Sequence, residues 1–188
     1  MSKKRGLMSN LKANAPPHPN LEDPGVHIFV DDQNLFWGIT NDTSFGKSFR
    51  IDFGLLLLEA AKGVDGKARP VKSAYIAGVI PDDDYFWEVA KNQGFQVMRG
   101  YLGTNNRSKQ DDAYLITEIV STIYTKKGPS TIVLLAGDAD YKPPLEKVIA
   151  QKWRSEVTFI GHSVSSSLQS VTHLFREIYP TSIKKIRT

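Results

Sequence analysis

The sequence predicts an α/β fold: an open parallel sheet of about five strands with helices on both faces. Three observations predict it. Short apolar runs alternate with helical patterns along most of the chain, an order typical of parallel strands linked by right-handed crossovers. The runs VHIFVD (26–31) and STIVLLAGDAD (130–140) are almost continuously apolar, as expected for strands covered on both faces. Carboxylates stand at the end of both runs.

Length and composition indicate one globular domain preceded by a tail. The chain has 188 residues, 40% of them hydrophobic, which suits a single domain with a buried core. Residues 1–24 are rich in proline, asparagine and basic side chains and have no apolar period, so we predict a flexible tail there. The domain is expected to span residues 25–188.

Composition also excludes several classes of function. No apolar stretch approaches the roughly 20 residues that span a bilayer, and no apolar segment follows MSKKRG as it would in a secretory signal. Cysteine is absent, which excludes disulfides, thiolate zinc sites and cysteine nucleophiles and fits a cytoplasmic protein without a membrane partner. The net charge of +4 favours polyanionic partners.

The first half of the chain gives two strands and two helices. After the first strand, the polar, glycine-bearing stretch 38–50 predicts a loop. IDFGLLLLEAAKG (51–63) predicts a helix that Asp52 caps and Gly63 ends. The second strand is expected at 71–80, and PDDDYFWEVAKNQG (81–94) predicts a helix whose early aspartates favour its N-terminus.

The second half repeats the alternation. FQVMRGYL (95–102) predicts a third strand, and GTNNRSKQ (103–110) a polar loop. Residues 111–128 have apolar side chains at helical spacing and predict a helix that ends at Gly128. After the fourth strand, at 130–140, we expect a helix at about 143–152, a fifth strand EVTFIG (156–161) and a final helix SSSLQSVTHLFREI (165–178).

The acidic residues that follow the strands are the candidate site. Asp31 ends the first strand, Asp138 and Asp140 follow the fourth, and Asp112 begins the helix before it. In open parallel sheets, sites form beyond the carboxyl ends of strands, where the strand order reverses. If the first and fourth strands are neighbours, these carboxylates converge, and their repulsion requires a cation. Oxygen ligands without sulfur point to Mg²⁺ or Mn²⁺.

The joint pattern resembles the NYN family of PIN-like nucleases. The resemblance covers residues from about Val26 to Ile178, and three motifs carry it: Asp31 and Asn34 in VDDQN, Lys109 and Asp112 in KQDD, and Gly137, Asp138 and Asp140 in AGDADYKPPLEKV. Three positions depart from the family pattern. Asp32 stands where the family often has glycine, and Glu118 and His173 stand where it often has aspartate.

The resemblance implies a Rossmann-like PIN fold and cleavage of RNA, single-stranded or structured, with Mg²⁺ or Mn²⁺ as cofactor. We expect a nuclease, specifically an endoribonuclease. The resemblance makes the four aspartates the metal-binding set, and Asn34 joins them as a catalytic candidate. Basic side chains near the site are candidates to bind the substrate. These are the predicted residues: Asp31, Asp112, Asp138 and Asp140 for metal and catalysis, Asn34 for catalysis, and Lys109, Arg107 and Lys142 for substrate.

Two alternatives stay open at this point. A phosphatase of the haloacid dehalogenase type also uses aspartates at strand ends, but Gln33 stands where its second acid would be. An RNA-binding module with the same fold and no turnover is the other alternative. The sequence leaves the oligomeric state open, a homo-oligomer included.

Overall fold

The structure, a computed structural model, describes most of the chain. It describes residues 25–41, 49–79, 85–102, 108–109 and 111–185, together with Pro19, Leu21 and Phe45. Of residues 101, 102, 108, 109, 111 and 162, it describes the backbone alone. Apart from Pro19 and Leu21, the predicted tail at 1–24 lies outside the described residues, and so do Arg107 and the aspartates at 82–84.

A seven-stranded sheet forms the centre of the molecule. Its order is β4-β3-β2-β1-β5-β6-β7, and every neighbouring pair is parallel except β3 and the two-residue β4. The predicted open parallel sheet is confirmed, with six parallel strands. The strands are β1 Val26–Asp31, β2 Val71–Val79, β3 Gln96–Leu102, β4 Ser108–Lys109, β5 Thr131–Leu135, β6 Arg154–Phe159 and β7 Leu174–Glu177.

Five α-helices of the described residues flank this sheet. The helix pair α2 and α3 covers one face, where the rings of Phe53 and Phe86 lie 4.7 Å apart. Helices α4 and α5 pack against each other on the opposite face, as right-handed crossovers in both directions from β1 require. The helices are α1 Asp32–Thr40, α2 Phe53–Ala61, α3 Tyr85–Asn92, α4 Asp111–Thr125 and α5 Lys142–Ala150. None of them is both long enough and apolar enough to cross a membrane.

The central strand β1 places the candidate site. All six of its residues are buried, and the ring of Phe29 stacks on Tyr75 of β2 at 5.1 Å. On one side Val30 pairs with Ile76, and on the other with Leu135 of β5. The chain therefore reverses its direction of travel across the sheet at β1, and a crevice opens beyond the carboxyl ends of β1 and β5.

Helix α1 occupies part of the stretch that the sequence pattern assigned to a loop. The loop was predicted at 38–50, but α1 begins directly after β1 and continues to Thr40. The Asp31 carboxylate caps it by accepting the Asn34 N–H, and Leu35 and Ile39 bury one face of it. Capping and two buried side chains, one helical turn apart, outweigh the polar composition of the segment.

The predicted final helix at 165–178 is wrong. A 3-10 helix, Ser166–Val171, is followed by strand β7, which pairs in parallel with β6. Within the 3-10 helix, Leu168 and Val171 are buried at helical spacing. Beyond them, the backbone of β7 completes the hydrogen bonds of β6, so the sheet edge decides the structure. The strand β4 is a smaller addition, inside the predicted polar loop at 103–110.

A buried ion pair fixes the amino end of the sheet. The Arg69 guanidinium donates two hydrogen bonds, of 2.9 and 2.7 Å, to the fully buried Glu156 carboxylate. It also donates to the carbonyls of Ala61 and Lys62 at 3.1 Å each, so it satisfies the C-terminus of α2. Arg154 Nε lies 2.8 Å from the same carboxylate.

Candidate active site

Asp31 is held at the base of the crevice by two hydrogen bonds. It is both the last residue of β1 and the N-cap of α1, and only 3% of it is exposed. Its Oδ1 accepts the backbone N–H of Asn34 at 2.9 Å, and its Oδ2 accepts the Tyr141 hydroxyl at 3.0 Å. Both oxygens are thereby oriented, so the carboxylate has one defined position in the site.

Asp112 is the electrostatic partner of Asp31. It lies in the first turn of α4 and is half-buried. Burial, followed by the charge and a hydrogen bond of Asp112, raises the pKa of Asp31 to about 7, against the lowering effect of the Asn34 N–H and the Tyr141 hydroxyl. Two carboxylates this close share a proton near neutral pH unless a cation replaces it.

Asp138 faces the same pocket from the end of β5. It is exposed, and its Oδ1 accepts the N–H of Asp140 at 3.4 Å, which caps the short 3-10 helix Ala139–Tyr141. Asp140 is also exposed but is not among the pocket-lining residues. The structure therefore brings together Asp31, Asp112 and Asp138, and it leaves Asp140 outside.

The pocket has a volume of about 300 Å³ and is largely polar. Its walls combine carboxylates with amide and hydroxyl groups from α1 and from the loop after β6. The lining residues are Asp31, Gln33, Asn34, Trp37, Gly38, Asn41, Asp112, Asp138 and Ser163. In the described part of the chain, no three acidic or histidine side chains form a ready-made metal cage. The donor set fits a cation such as Mg²⁺, which keeps several waters and binds one or two carboxylates together with substrate phosphate.

Asn34 and Gly137 lock the two halves of the site together. Asn34 Oδ1 accepts the Gly137 N–H at 2.9 Å, and the Gly137 carbonyl accepts the Ser165 N–H at 2.7 Å. A Cβ atom on Gly137 would lie 2.2 Å from the Ser163 carbonyl oxygen, so only glycine allows this approach. Asn34 thus connects β1 and α1 to the loop after β5.

The departure at Asp32 is accommodated by a glycine on the neighbouring strand. Asp32 is the first residue of α1. A Cβ atom on Gly78 of β2 would lie 3.0 Å from the Asp32 Cβ and 2.9 Å from Trp87 Cη2. The missing side chain at Gly78 therefore leaves the space that Asp32 requires.

Lys142 is the predicted substrate-binding cation whose side chain the structure describes, and it is not among the residues that line the pocket. Arg107 and the side chain of Lys109 are outside the described residues, although the Lys109 backbone pairs with Tyr101 in β4. Lys142 is half-buried at the start of α5, where its Nζ lies 3.9 Å from Glu146 Oε1. None of the described residues that line the pocket is Lys or Arg.

Glu118 belongs to a separate hydrogen-bonded pair. It is half-buried on α4 and forms a hydrogen bond with Tyr75. The burial of Tyr75, together with this hydrogen bond, raises the pKa of the tyrosine above its ordinary value. Glu118 does not line the pocket. His173 has a structural role instead: it is buried in the core, where its Nδ1 accepts the Ser155 N–H at 3.0 Å.

Trp37, Asn41 and Ser163 were not identified from the sequence. Trp37 and Asn41 lie three and seven residues after Asn34, the spacing of one helical stripe. Recognising α1 as a helix would have placed both beside Asn34. Ser163 follows β6 in a serine-rich loop, and no motif distinguishes it from its neighbours.

Comparison with known proteins agrees with this architecture. The family model of the NYN domain matches residues 25–179. The chain belongs to the NYN domain family. A crystal structure of a protein of unknown function, VPA0982 from Vibrio parahaemolyticus RIMD 2210633, has a TM-score of 0.65 at 18% identity and covers 90% of this chain and 99% of that chain. That likeness shows the fold alone. No curated relative matches the sequence.

Membership of the NYN family confirms the resemblance carried by the three motifs. The NYN domain has the fold of PIN-like nucleases, and the family acts on RNA and usually uses divalent metal ions. The predicted Rossmann-like α/β fold with helices on both faces is confirmed as well.

Proposed function

We propose that this NYN domain is a ribonuclease that requires Mg²⁺ or Mn²⁺ and hydrolyses phosphodiester bonds of RNA in the pocket of Asp31, Asp112 and Asp138. One observation carries the proposal. Three carboxylates from distant parts of the sequence line one pocket, beyond the carboxyl ends of the neighbouring strands β1 and β5. Family membership supports RNA as the substrate.

Asp31 and Asp112 are the proposed holders of the ion. Burial and the nearby charge of Asp112 both raise the pKa of Asp31, so a divalent cation that displaces the proton relieves the repulsion between the two carboxylates. Asp138 contributes from the loop that follows β5. When bound, the ion supplies positive charge to the phosphate and acidifies the attacking water. Asp140 is proposed to join only when the substrate is present, because its side chain lies outside the pocket.

The chain's own residues orient the reaction. Water attacks the phosphorus in line with the departing 3′ oxygen: a new P–O bond forms and the P–O3′ bond breaks. The attacking water gives up a proton to solvent and the 3′ oxygen takes one up, which leaves a 5′-phosphate and a 3′-hydroxyl. The hydrogen bonds from the Asn34 N–H and the Tyr141 hydroxyl keep Asp31 in place, which reduces the reorganisation needed during the reaction. The Asn34 contact to Gly137 keeps Asp138 at a constant distance from β1. Lys109, Arg107 and Lys142 remain the proposed substrate-binding residues, and Lys109 is the one proposed to add positive charge at the phosphate.

A second pocket extends the proposed path of the strand. It has a volume of about 420 Å³ and shares Asn34, Asp138 and Ser163 with the first pocket before it reaches Val164 and Ser165. An RNA strand that lies across Asp138 could therefore place successive nucleotides in both pockets. Hydroxyl and backbone groups there would contact phosphate and ribose.

Cleavage of a labelled single-stranded RNA, with and without Mn²⁺, tests the proposal. We expect metal-dependent cleavage that falls at least roughly 100-fold in Asp112→Asn and Asp138→Asn, and by less in Asp140→Asn. Asp65→Asn is the matched control, since Asp65 is exposed in a turn and its Oδ1 accepts only the nearby Lys67 N–H at 3.0 Å. A circular RNA substrate tests the endonucleolytic assignment, because it has no end for an exonuclease.

The same assay separates the alternatives. Binding of RNA or metal without turnover would favour an RNA-binding module. Hydrolysis of a small phosphomonoester instead of RNA would favour a phosphatase, although Gln33 lines the pocket where that chemistry requires an acid. Equal cleavage by the wild type and Asp138→Asn would contradict the nuclease proposal.

A further inference from the structure

Trp37 is an exposed indole on the wall of the carboxylate pocket. It lies on α1, lines the pocket and is 51% exposed, whereas Trp87 and Trp153 are each 3% exposed. Its ring contacts Phe36 edge-to-face at 5.3 Å and 75°. The indole is therefore steadied by one neighbouring ring while half of the residue remains in water.

The position of Trp37 relative to the acids is fixed by α1. Asp31 caps this helix, and Trp37 follows six residues later, about 9 Å along the helix axis. The pocket between them also contains Asn34. If a phosphate binds at Asp31, the neighbouring nucleotide would lie within reach of a ring at this place.

The charge of the pocket favours an uncharged, aromatic contact with a nucleic acid. The described residues that line the pocket include three carboxylates and no Lys or Arg. No cationic side chain among them can therefore attract a polyanion. Aromatic side chains bind nucleic acid without charge by stacking on bases, and this interaction is tolerant of sequence. Trp37 is the aromatic residue among those that line the pocket.

We propose that Trp37 stacks on an unpaired base adjacent to the scissile phosphate and thereby selects single-stranded RNA. The inference rests on the proposed function and specifies the substrate class. In a duplex, each base is already paired and stacked, so its face is closed to the indole. A single strand or an unpaired loop offers the face without that cost.

Intrinsic fluorescence gives a direct test of the contact. Because Trp87 and Trp153 are buried, a change in solvent-exposed emission reports Trp37. We expect a 12-nucleotide single-stranded RNA, mixed rapidly with the full chain in Mg²⁺, to quench this emission before cleavage. The same RNA annealed to its complement is expected to leave the emission unchanged. Trp37→Phe should lose the signal while it keeps binding.

Substitution tests the contribution to binding and cleavage. Trp37→Ala should weaken single-stranded RNA binding and kcat/KM by roughly 5- to 100-fold, and Trp37→Phe should restore most of the loss. Tyr124→Ala is the control, because Tyr124 is an exposed aromatic at the far end of α4. An RNA with one abasic nucleotide beside the scissile phosphate offers no base for stacking. With the wild type, this RNA should show the same loss of kcat/KM that Trp37→Ala shows with intact RNA. Combining the abasic RNA with Trp37→Ala should cause no further loss.

The outcomes distinguish this inference from the nuclease proposal. Cleavage of single-stranded RNA with no quenching, and with Trp37→Ala within twofold of the wild type, would overturn the stacking contact and leave the nuclease standing. Quenching by single-stranded RNA without any cleavage would support the contact and overturn the nuclease. Equal quenching by duplex RNA would overturn the proposed selectivity.

Discussion

The hydroxyl of Tyr141 donates a hydrogen bond of 3.0 Å to Asp31 Oδ2, between residues 110 positions apart in the chain. Both residues are buried, Tyr141 completely. Tyr141 stands at the end of the 3-10 helix that Asp138 caps. This bond thus ties the acid of β1 to the segment that carries the acid of β5, in the interior beneath the pocket.

Tyr141→Phe should weaken metal binding with little change in shape. Without the hydroxyl, the pKa of Asp31 rises further, because that hydrogen bond lowers it. A proton then competes better with the ion, and we expect about a 10-fold loss of Mn²⁺ affinity at pH 7 and a smaller loss at pH 8.5. Isothermal titration with Mn²⁺ measures both values. Tyr124→Phe should behave as the wild type, and unchanged affinity in Tyr141→Phe would contradict the role of this bond.

The pKa of Asp31, raised from 3.8 to about 7, should make the metal-free protein less stable at high pH. The folded state keeps a proton that the unfolded state loses above pH 3.8. Stability should therefore fall as pH rises from about 4 to about 7, by at most about 4 kcal/mol, and level off above. Urea unfolding in EDTA at several pH values measures this.

Asp31→Asn is the comparison for the pH series. It removes the titrating group, so we expect it to exceed the wild type in stability at pH 8 and to match it near pH 4. The difference between the two curves isolates Asp31 from other groups. Parallel curves for the two proteins would show that Asp31 does not titrate in this range.

Gly137→Ala should destabilise the fold and disrupt the site. The new methyl group would overlap the Ser163 carbonyl, which lies 2.2 Å from its position, and the backbone cannot move without loss of the Asn34 bond. We expect a cost of about 2–4 kcal/mol in urea unfolding. Gly54→Ala in α2 meets only the flexible end of Gln93, at 3.1 Å, and an Asp52 oxygen at 3.3 Å. That control should change stability by less than about 1 kcal/mol.

Glu118→Gln should leave metal binding unchanged. Glu118 hydrogen-bonds Tyr75 and does not line the pocket, and a glutamine can still accept that hydrogen bond. We expect Mn²⁺ affinity and RNA cleavage within twofold of the wild type. The same measurements on Asp112→Asn give the contrast on the same helix. A tenfold loss in Glu118→Gln would make this residue a metal ligand after all.

Arg69→Ala should lower the free energy of unfolding without an effect on the site. It removes the guanidinium that donates two hydrogen bonds to the buried Glu156 carboxylate. It also removes the donor that satisfies the carbonyl at the end of α2. Arg154 Nε remains 2.8 Å from the carboxylate. We therefore expect the free energy of unfolding to fall by about 3 kcal/mol, the low end of the cost of breaking a buried ion pair. Adding Glu156→Gln should recover part of the loss. Mn²⁺ affinity of the folded variant should equal that of the wild type.

The strands and the acids at their ends could be predicted because both follow from local pattern. Continuously apolar runs identify β1 and β5, and parallel strands bring their carboxyl ends to one edge. The pattern therefore predicts Asp31 and Asp138 at that edge, and both line the pocket there. Asp112 joins these two acids because α4 begins at this point of the chain. Asp111 and Asp112 indicate that helix start in the sequence.

The remaining features depend on long-range contacts. The loop predicted at 38–50 overlaps the end of α1, because the polar composition of that stretch indicates a turn, whereas the helix continues to Thr40. The strand β7 forms against β6, which local helical pattern in 165–178 does not reveal. Asp140 differs from Asp138 only in the direction that the 3-10 helix gives it, and no spacing rule contains that information.

The chain of hydrogen bonds from Asn34 through Gly137 to Ser165 has a consequence for traffic through the site. These hydrogen bonds connect α1, the loop after β5 and the loop after β6. The carboxyl ends of β1 and β5 therefore cannot separate unless these loops lose their hydrogen bonds. Under the proposed function, ions and cleaved fragments would enter and leave through the solvent-exposed side of the pocket, where Trp37 is 51% exposed.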